Sequence, residues 1–316
     1  MDVLKGYREI KKSFRDAVLT VGNFDGLHLG HQSILNEVVA RAKSLRGQSI
    51  VYTFRPHPQA VLSPSRDLEL ISTYDEKLRL FENAGIDVVI EEPFSREFSG
   101  FSAEKFFSDV IVKSIAPRAV FVGYDFGFGK DRSGSLDILK KMCKTEGIDL
   151  SIASPLKIEN EVCSSSRVRA YLKSGDIVSA NRLLGRRFSY QGSVIRGDAR
   201  GRTIGFPTAN LLASAKIQIK NGVYASGTIV TMNKNKKKYP SITNVGVKPT
   251  FAKPEDQRPP VVIETHLFDF NDDLYGRTIE IELVERIRDE QKFDSIEKLV
   301  EQIRKDVAQT RQLFTI

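Results

Sequence analysis

Two histidines three residues apart are the first feature of this sequence that could do chemistry. They lie in GNFDGLHLGH, residues 22–31, between the apolar run AVLTVG (17–22) and a helical pattern that starts near residue 30. This spacing places His28 and His31 on one face of a first helical turn. The free amides and positive dipole end of a helix N-terminus favour a phosphate, and two imidazoles can donate hydrogen bonds to it. The motif predicts a phosphate-handling site, whereas a lone histidine is more often an ordinary core or surface residue.

A second polar segment, CSSSRVR at residues 163–169, fits the same chemistry. The hydroxyls of Ser164 and Ser165 can bond phosphate oxygens, and the Arg169 guanidinium can clamp the departing β- and γ-phosphates of a nucleoside triphosphate. Taken alone, this segment is better explained as a helix N-cap followed by a solvated arginine. Its pairing with HLGH favours the functional interpretation.

Together the two segments resemble the HxGH and (I/V)SSTxIR signatures of the nucleotidyltransferase superfamily, which transfers a nucleotidyl group and releases pyrophosphate. A Walker A loop and a Rossmann GxGxxG are both absent from the sequence. The resemblance implies that the two histidines stabilise the transition state and that the serines and Arg169 orient the triphosphate. We also expect the start of the first motif to line the ligand site, through Gly22, Asn23 and Phe24.

Two further segments bear on which substrate accepts the nucleotidyl group. They are TFRPHP (53–58) and GYDFGFGKDRSG (123–134), each at or just beyond a predicted strand. His57 lies between two prolines, which favours a site-facing role over a core one. Phe126 and Phe128 could stack on a planar ring, with Asp125 as a polar handle; the alternative is an ordinary loop with packed aromatics. These segments resemble the bacterial bifunctional riboflavin kinase/FMN adenylyltransferase family. Gly127 departs from that pattern, because many members carry a larger, often basic residue there.

The resemblance continues in the second half of the chain, where GSVIRGDARGRTIGFPTANL (192–211) looks like the flavokinase signature. A glycine-rich loop has amides that can wrap phosphates, and Thr208 and Asn210 are neutral oxygen donors two residues apart. They could join phosphates and waters around one Mg²⁺. The candidate phosphate-binding positions of this segment are Gly197, Gly201, Gly205 and Pro207.

Glu264 heads ETHLFDF (264–270), and a strand there would place Glu264, His266 and Phe268 on one side. A carboxylate beside a metal-bound phosphate can take the proton from an attacking primary alcohol. By resemblance, Glu264 is the catalytic base for the riboflavin 5′-hydroxyl; for His266 a structural hydrogen bond is at least as good an explanation as catalysis. Asn244, in NVGVKPTF (244–251), is a further candidate binding residue.

The elements that must position these residues change character near residue 185. Before it, apolar strands alternate with helices of 10 to 15 residues, which predicts βαβ units and a parallel, Rossmann-like sheet. After it, short strands with Gly and Pro turns predict an antiparallel β-barrel closed by a terminal helix. For that helix we expect a capping box of Asp294 and Glu297 and an apolar stripe that packs on its own barrel. We therefore predict an α/β protein with domains 1–185 and 186–316.

Composition bounds the function further. The 316 residues carry 48 Lys+Arg and 40 Asp+Glu, a formal charge of +8, with four His, two Cys and no Trp. The charge is spread widely; its only dense run, Lys234–Lys238, is expected at a solvated hairpin tip. No secretory signal or membrane span is visible, and the two cysteines suit reduced thiols. We expect a cytoplasmic enzyme that binds small molecules rather than nucleic acid or membrane, with its oligomeric state open.

The combined prediction is a bifunctional enzyme of FAD biosynthesis. The C-terminal domain would phosphorylate riboflavin to FMN, and the N-terminal domain would adenylylate FMN to FAD, each with ATP and Mg²⁺. Two alternatives stay open: a flavin-binding or RNA-binding regulator that kept the fold and lost the chemistry, and a chain in which only the kinase is active.

Overall fold

A computed structural model describes residues 1–65, 68–197, 200–213, 216–232, 235–247 and 261–314, with only the backbone described at residues 200 and 247. The chain divides into two compact units, Met1–Ser165 and Ser166–Ile316. The predicted domain boundary at 185/186 lies within the second unit, after two helices, and stays a prediction.

The first unit is built on a six-stranded sheet in which every neighbouring pair is parallel. The strands are β1 (Asp2–Leu4), β2 (Val18–Val21), β3 (Ser49–Arg55), β4 (Val88–Pro93), β5 (Ala119–Gly123) and β6 (Asp149–Ala153). Their order in the sheet is β1-β4-β3-β2-β5-β6. Five of the six strands were predicted. The three-residue β1 was missed because only Val3 and Leu4 give it any apolar signal.

Helices cover both faces of this sheet, as the strand–helix alternation predicts. One face packs the helices of residues 29–45 and 74–83 through residues such as Leu35 and Phe81. The other packs the helix of residues 136–145 and the helix that follows Ser102, through residues such as Leu139 and Val110. The helices are α1 (Leu29–Leu45), α2 (Pro58–Leu62), α3 (Tyr74–Asn83), α4 (Arg96–Ser99), α5 (Ala103–Lys105), which continues as a π-helix over Phe106–Ile115, and α6 (Leu136–Thr145). Short 3₁₀ turns occur at Tyr7–Glu9 and Lys130–Arg132, and a small hairpin pairs β7 (Lys157–Ile158) with β8 (Glu161–Val162).

Strand order places a topological switch point in this sheet. From β2 the chain first adds β3 and β4 on one side, then crosses to add β5 and β6 on the other. Ligands of open α/β sheets bind at the carboxyl ends of the strands beside such a point. The loops that follow β2 and β5 carry GNFDGLHLGH and GYDFGFG, so both candidate segments lie at this edge.

The second unit contains a closed antiparallel barrel. Its strands are β9 (Ser189–Ile195), β10 (Ala209–Ala213), β11 (Gly222–Met232), β12 (Asn235–Val247), β13 (Val261–Leu267) and β14 (Thr278–Arg288), in the order β10-β13-β12-β11-β14-β9. Inside the barrel, a group of fully buried hydroxyls bond to one another, which satisfies polar groups that would otherwise be costly to bury: Ser226, Thr228, Ser241, Thr243 and Thr265. Strand β10 was not predicted, because FPTAN was interpreted only as part of a loop.

Among the described residues, four helices accompany the barrel: α7 (Ser165–Ser174), α8 (Ile177–Leu184), α9 (Arg200–Thr203) and α10 (Ile296–Gln312). Helix α10 packs on its own barrel, where Val307 contacts a buried cluster and Arg288 forms a salt bridge with the buried Asp306 at 2.8 Å. The predicted capping box is wrong by one residue. Ser295 is the N-cap and accepts from the Lys298 amide, because the helix begins at Ile296.

The remaining predictions concern the lysine run, the cysteines and membrane segments. Strands β11 and β12 form a hairpin in which Met232 pairs with Asn235. Lys236, Lys237 and Lys238 are exposed on β12 just beyond the tip, and Lys234 lies outside the described residues. Cys143 and Cys163 are both buried, and neither forms a disulfide. In the described parts of the chain, none of the helices is long and apolar enough to cross a membrane.

Candidate functional sites

The turn between β2 and α1 is held by a buried carboxylate. Both Asp25 side-chain oxygens accept from the Ile71 amide at 3.0 Å, and Oδ1 also accepts from the Ser72 amide at 3.2 Å. Gly26 adopts φ +80° with the Ile71 side chain 2.9 Å from where a Cβ would lie, so this position needs glycine. The turn is therefore shaped by contacts with a segment more than 40 residues away.

The two histidines lie where this turn enters helix α1. His28 is the N-cap, and its Nδ1 accepts from the His31 amide at 3.4 Å. An Nδ1 that accepts is unprotonated, so a neutral His28 carries its proton on Nε2 and can donate it. The His28 and His31 rings stack with centroids 3.7 Å apart, and Phe24 meets the His31 ring edge-on at 5.2 Å. The expectation that both rings share one face of the first turn is confirmed.

Electrostatics keep His31 uncharged. Burial is the main reason that its pKa lies well below the usual histidine value, and the nearby His28 and Lys77 lower it further. His31 Nδ1 is buried and has no hydrogen-bond partner within the described residues. This arrangement suits neutral imidazoles that donate or accept hydrogen bonds, and it disfavours two imidazolium cations side by side.

The rest of the first motif lies against the ends of β2 and β3. The Gly22 amide donates to the Tyr52 carbonyl at 3.0 Å, and the exposed Asn23 has a carbonyl that accepts from Thr53 Oγ1 at 3.3 Å. Phe24 is buried in the core with φ +51°. Of these residues, Asn23 is the one whose side chain reaches solvent at the sheet edge.

His57 follows β3 and is 8% exposed. It caps α2: its Nδ1 accepts from the Gln59 amide at 3.2 Å, and its own amide donates to the Tyr74 hydroxyl at 2.9 Å. The Arg55 guanidinium lies over the Tyr74 ring, 4.7 Å from its centroid. His57 thus has a structural role of its own, and its contact with a ligand stays a prediction.

The aromatic segment after β5 is partly used for packing. Phe126 and Phe128 stack on each other with centroids 5.6 Å apart, and Phe128 is buried against Phe106. Asp125 is exposed, and its carbonyl accepts from the Arg132 guanidinium at 2.6 Å. That guanidinium lies 3.1 Å from where a Cβ of Gly127 would be, so a basic group already fills the space beside this glycine.

Two residues of the CSSSRVR segment, Cys163 and Ser165, bond to the first motif. Ser165 Oγ donates to the Asp25 carbonyl at 2.8 Å, which ties the two motifs together. A hydroxyl has one proton to donate. While Ser165 donates that proton to the Asp25 carbonyl, it cannot also donate to a phosphate. Ser164 is the neighbouring hydroxyl, and Arg169, four residues into α7, belongs to the second compact unit.

The barrel places three candidate residues in one cross-strand row. Glu264 on β13 is paired with Asn210 on β10 and with Asn244 on β12. All three are partly exposed, whereas the residues before and after each of them are buried, so the row lies on the outer face of the barrel. Directly opposite residues of antiparallel strands have Cβ atoms about 5 Å apart. A carboxylate therefore lies between two amides on this face.

The glycine-rich loop approaches this row closely. A Cβ on Gly197 would lie 2.2 Å from Asn210 Nδ2, so only glycine leaves room for that amide. Gly201 is within α9, close to the Phe206 carbonyl, and Gly205 follows with φ +86°. The exposed Pro207 has a carbonyl 2.8 Å from His266 Nδ1, a structural hydrogen bond of the kind expected for this histidine. Thr208 precedes β10 and is partly exposed.

Three supporting residues were missed by the sequence analysis. Asp25 lies inside the first motif but was given no role. Lys77 lies on the buried face of α3 beside Phe81, and a charge on an apolar helix face is the signal that would have revealed it. Glu290 accepts from Asn244 Nδ2 at 3.1 Å, and nothing local marks this contact.

Comparisons with known proteins match both halves of the chain. A family model described as FAD synthetase matches residues 10–167, and one described as riboflavin kinase matches residues 184–314. The bifunctional riboflavin kinase/FMN adenylyltransferase of Bacillus subtilis (strain 168) is 37% identical over 314 residues, covering 97% of this chain and 95% of the relative. The protein of the same name in Escherichia coli (strain K12) is 33% identical over 315 residues, covering 99% and 98%.

A solved structure has the same fold over almost the whole chain. It is described as a macrolide-efflux protein from Streptococcus pneumoniae, is 31% identical, and covers 98% of both chains with a TM-score of 0.87. That description is a statement about the other protein, whereas both domain models and the curated relatives concern flavin metabolism. The two family matches and the full-length identity to named relatives show that this chain belongs to the bifunctional riboflavin kinase/FMN adenylyltransferase family.

Proposed function

We propose that this chain carries out two successive reactions of FAD formation at two separate sites. The barrel phosphorylates riboflavin with ATP to give FMN and ADP, and the α/β unit joins FMN to the adenylyl group of ATP to give FAD and pyrophosphate. One observation supports the assignment of the two reactions to two sites. HLGH and Glu264 lie in different compact units, each matched by its own family model.

In the adenylyl transfer, an FMN phosphate oxygen attacks the α-phosphorus of ATP, and the bond to the bridging α–β oxygen breaks. The nucleophile is already ionised, so no general base is needed. Negative charge grows on the α-phosphoryl oxygens and on the leaving pyrophosphate. His28 Nε2–H, at the N-terminus of α1, donates to the α-phosphoryl group, and neutral His31 supports it. Ser164 and Arg169 hold the β- and γ-phosphates, while Ser165 fixes the turn through Asp25.

Flavin and nucleotide would be held by the loops at the same sheet edge. Phe126 and Asp125 offer a partly exposed ring and an exposed carboxylate for the flavin, with Phe128 packed behind. Gly22, Asn23 and Phe24 shape the nucleotide side of the turn, and His57 lies beyond β3. These ligand contacts are part of the proposal.

In the kinase reaction, Glu264 takes the proton of the riboflavin 5′-hydroxyl as that oxygen attacks the γ-phosphorus and ADP leaves. Its place between Asn210 and Asn244 supports this role, because both amides can orient substrate oxygens around the carboxylate. The loop of Gly197, Gly201 and Gly205, with Pro207, is the proposed cover for the ATP phosphates.

A magnesium ion fits the donor set of this second site. Thr208 and Asn210 offer neutral oxygens, and the described residues contain no cluster of three His, Cys, Asp or Glu side chains suited to a metal. Neutral donors suit Mg²⁺, which keeps several waters and binds mainly through substrate phosphates. When bound, the ion would neutralise charge on the β- and γ-phosphates.

The product assay is the direct test. Purified protein incubated with riboflavin, ATP and Mg²⁺ should yield FMN and then FAD when the flavins are separated. FMN supplied directly should yield FAD without riboflavin. Tight flavin binding with no turnover would instead support the binding-protein alternative, and FMN as the only product would leave a kinase alone. We also propose a cytoplasmic location, which two cysteines that form no disulfide support, and no nucleic-acid partner.

A further inference from the structure

We propose that Lys77, on helix α3, is a positioning residue of the adenylyltransferase site: its ammonium ties the Asn23 carbonyl to β3 and so fixes the turn that carries His28 and His31. This inference rests on the proposed function of the α/β unit. Nothing in the HxGH or SSxxxR segments includes this lysine, which lies almost 50 residues beyond the second histidine.

The contacts of Lys77 form a closed triangle. Its Nζ donates to Thr53 Oγ1 at 3.1 Å and to the Asn23 carbonyl at 3.4 Å, and Thr53 Oγ1 donates to the same carbonyl at 3.3 Å. Thr53 is fully buried and Lys77 is 5% exposed. One carbonyl of the turn is thus bonded from two sides by groups on β3 and α3. The position of the Asn23 carbonyl is therefore fixed by β3 and α3 as well as by the turn itself.

Burying the Lys77 ammonium on a helix face costs free energy of desolvation, so we infer that this charge has a specific role. A methionine would pack beside Phe81 on the buried face of α3 without desolvating a charge. The charge is partly balanced by carboxylates, and its Nζ lies 5.3 Å from the centroid of the Tyr74 ring. The charged and titratable groups around it come from every neighbouring element: Asp25 on the turn, His31 on α1, Arg55 on β3, Tyr74 on α3 and Glu91 on β4.

Charge and geometry act on the histidines together. The Asn23 carbonyl precedes the left-handed Phe24, whose ring contacts His31 edge-on. The Lys77 cation also helps to keep His31 neutral. Burial lowers the pKa of Lys77 to about 8, although Glu91 and Asp25 oppose this shift. Loss of its proton would replace charge-assisted bonds to Asn23 and Thr53 by weaker neutral ones.

The test compares four full-length proteins: wild type, Lys77→Met, Lys77→Arg and, as an exposed lysine on α1, Lys43→Met. FAD formation from FMN and ATP is measured from about pH 6.5 to about pH 9.5, a range that spans the titration of a perturbed lysine. Riboflavin phosphorylation in the same samples reports on the intact barrel. We expect Lys77→Met to lower kcat for FAD formation about 10- to 100-fold, with each KM within about threefold.

The pH profile separates positioning from simple stability. Wild type should lose FAD formation on a basic limb near pH 8. Lys77→Arg should retain most activity with that limb moved to higher pH, and Lys77→Met should lack it. Lys43→Met should match wild type, and riboflavin phosphorylation should be the same in all four. A change confined to KM, an unaltered basic limb in Lys77→Met, or equal loss of both activities would overturn the inference.

A second variant covers the case in which Lys77→Met does not fold. Thr53→Val keeps the volume and removes one corner of the triangle, so it should lower kcat for FAD formation without raising KM. An unchanged kcat there would overturn the inference as well. If wild type forms FAD but these variants behave otherwise, only the inference fails; if wild type forms no FAD, the proposed function fails and the inference with it.

Discussion

The two sites of this chain are positioned in opposite ways. In the α/β unit, the candidate reacting groups lie on turns beyond strand ends, and bonds from distant segments hold the turns in place: Ile71 to Asp25, and Ser165 to the Asp25 carbonyl. In the barrel, Asn210, Glu264 and Asn244 lie on adjacent strands, and the pairing register alone sets their spacing.

This difference determines which substitutions should damage each site. A turn held by a few buried side chains loses its shape when one of them is removed, even if the fold survives. A row on a closed barrel keeps its spacing as long as the ladder is intact, so it is sensitive chiefly to changes in the row and in the loop packed on it.

Glu264→Gln should have the largest effect and should be confined to one activity. The amide keeps the size of the side chain and the strand register but cannot accept the proton of the 5′-hydroxyl. We expect riboflavin phosphorylation to fall by at least about 100-fold, the scale of general-base catalysis. FAD formation from supplied FMN should be unchanged, as measured by separating the flavin products.

Glu285→Gln is the matched control for this change, because Glu285 is also a partly exposed strand glutamate of the barrel. It should leave both activities as in wild type. Should Glu264→Gln retain wild-type phosphorylation while Glu285→Gln does not, the row on β10, β13 and β12 is not the kinase site.

His28→Asn should have the reverse selectivity. Asparagine is a good N-cap residue, so its side-chain oxygen can replace Nδ1 as acceptor of the His31 amide. The Nε2–H donor is lost, and removal of one transition-state donor typically costs about 10²- to 10³-fold in kcat. We expect FAD formation to fall by that factor with the melting temperature nearly unchanged and FMN formation intact. His28→Ala, which also removes the cap, should be less stable; equal stability of the two variants would contradict the capping role.

Gly197→Ala should have a smaller effect, confined to the kinase. The backbone of Gly197 is not in the left-handed region, so the change acts only through its methyl group, which would meet the Asn210 amide at 2.2 Å. Either the loop or the amide must move, and a displacement of about 1 Å near reacting groups can lower a rate up to about 100-fold. We expect a loss of about tenfold in phosphorylation, measured with FAD formation as the internal control. A wild-type rate would show that Asn210 needs no fixed position.

Much of the fold could be predicted from the sequence because its signals are local. Strand–helix alternation up to residue 153 and Gly-punctuated strands after residue 185 identified five of six parallel strands and the barrel class. Strand β1 was missed because three residues are too few to show the alternation of apolar and polar residues typical of a strand. Strand β10 was missed because the glycines before it indicate a loop. The capping box was misplaced by one residue, since Asp294 and Ser295 are both good caps and only the three-dimensional start of α10 decides between them.

The candidate sites divide in the same way. His28 and His31 are neighbours on a helix, so their juxtaposition follows from spacing alone. The row of Asn210, Glu264 and Asn244 depends on cross-strand register, which no local pattern fixes. The same holds for Asp25 and Lys77, whose partners lie tens of residues away. The sequence identified candidate chemical groups more readily than the residues that hold their turns in place.

The smallest effect we predict is on stability at mildly acidic pH, and it should arise in the α/β unit. The pKa of His31 is lowered by burial in the folded state, whereas the unfolded chain has an ordinary histidine pKa of about 6.5. Below that pH the unfolded state binds more protons than the folded state, so the folded state loses stability as pH falls through about 6.5. One such group contributes a slope of at most about 1.4 kcal/mol per pH unit. The calorimetric melting temperature should therefore fall more steeply below about pH 6.5 in wild type than in His31→Gln, by a few degrees per pH unit. Parallel acid slopes in the two proteins would mean that His31 takes up a proton without penalty, and its neutral role in the adenylyltransferase site would then fail.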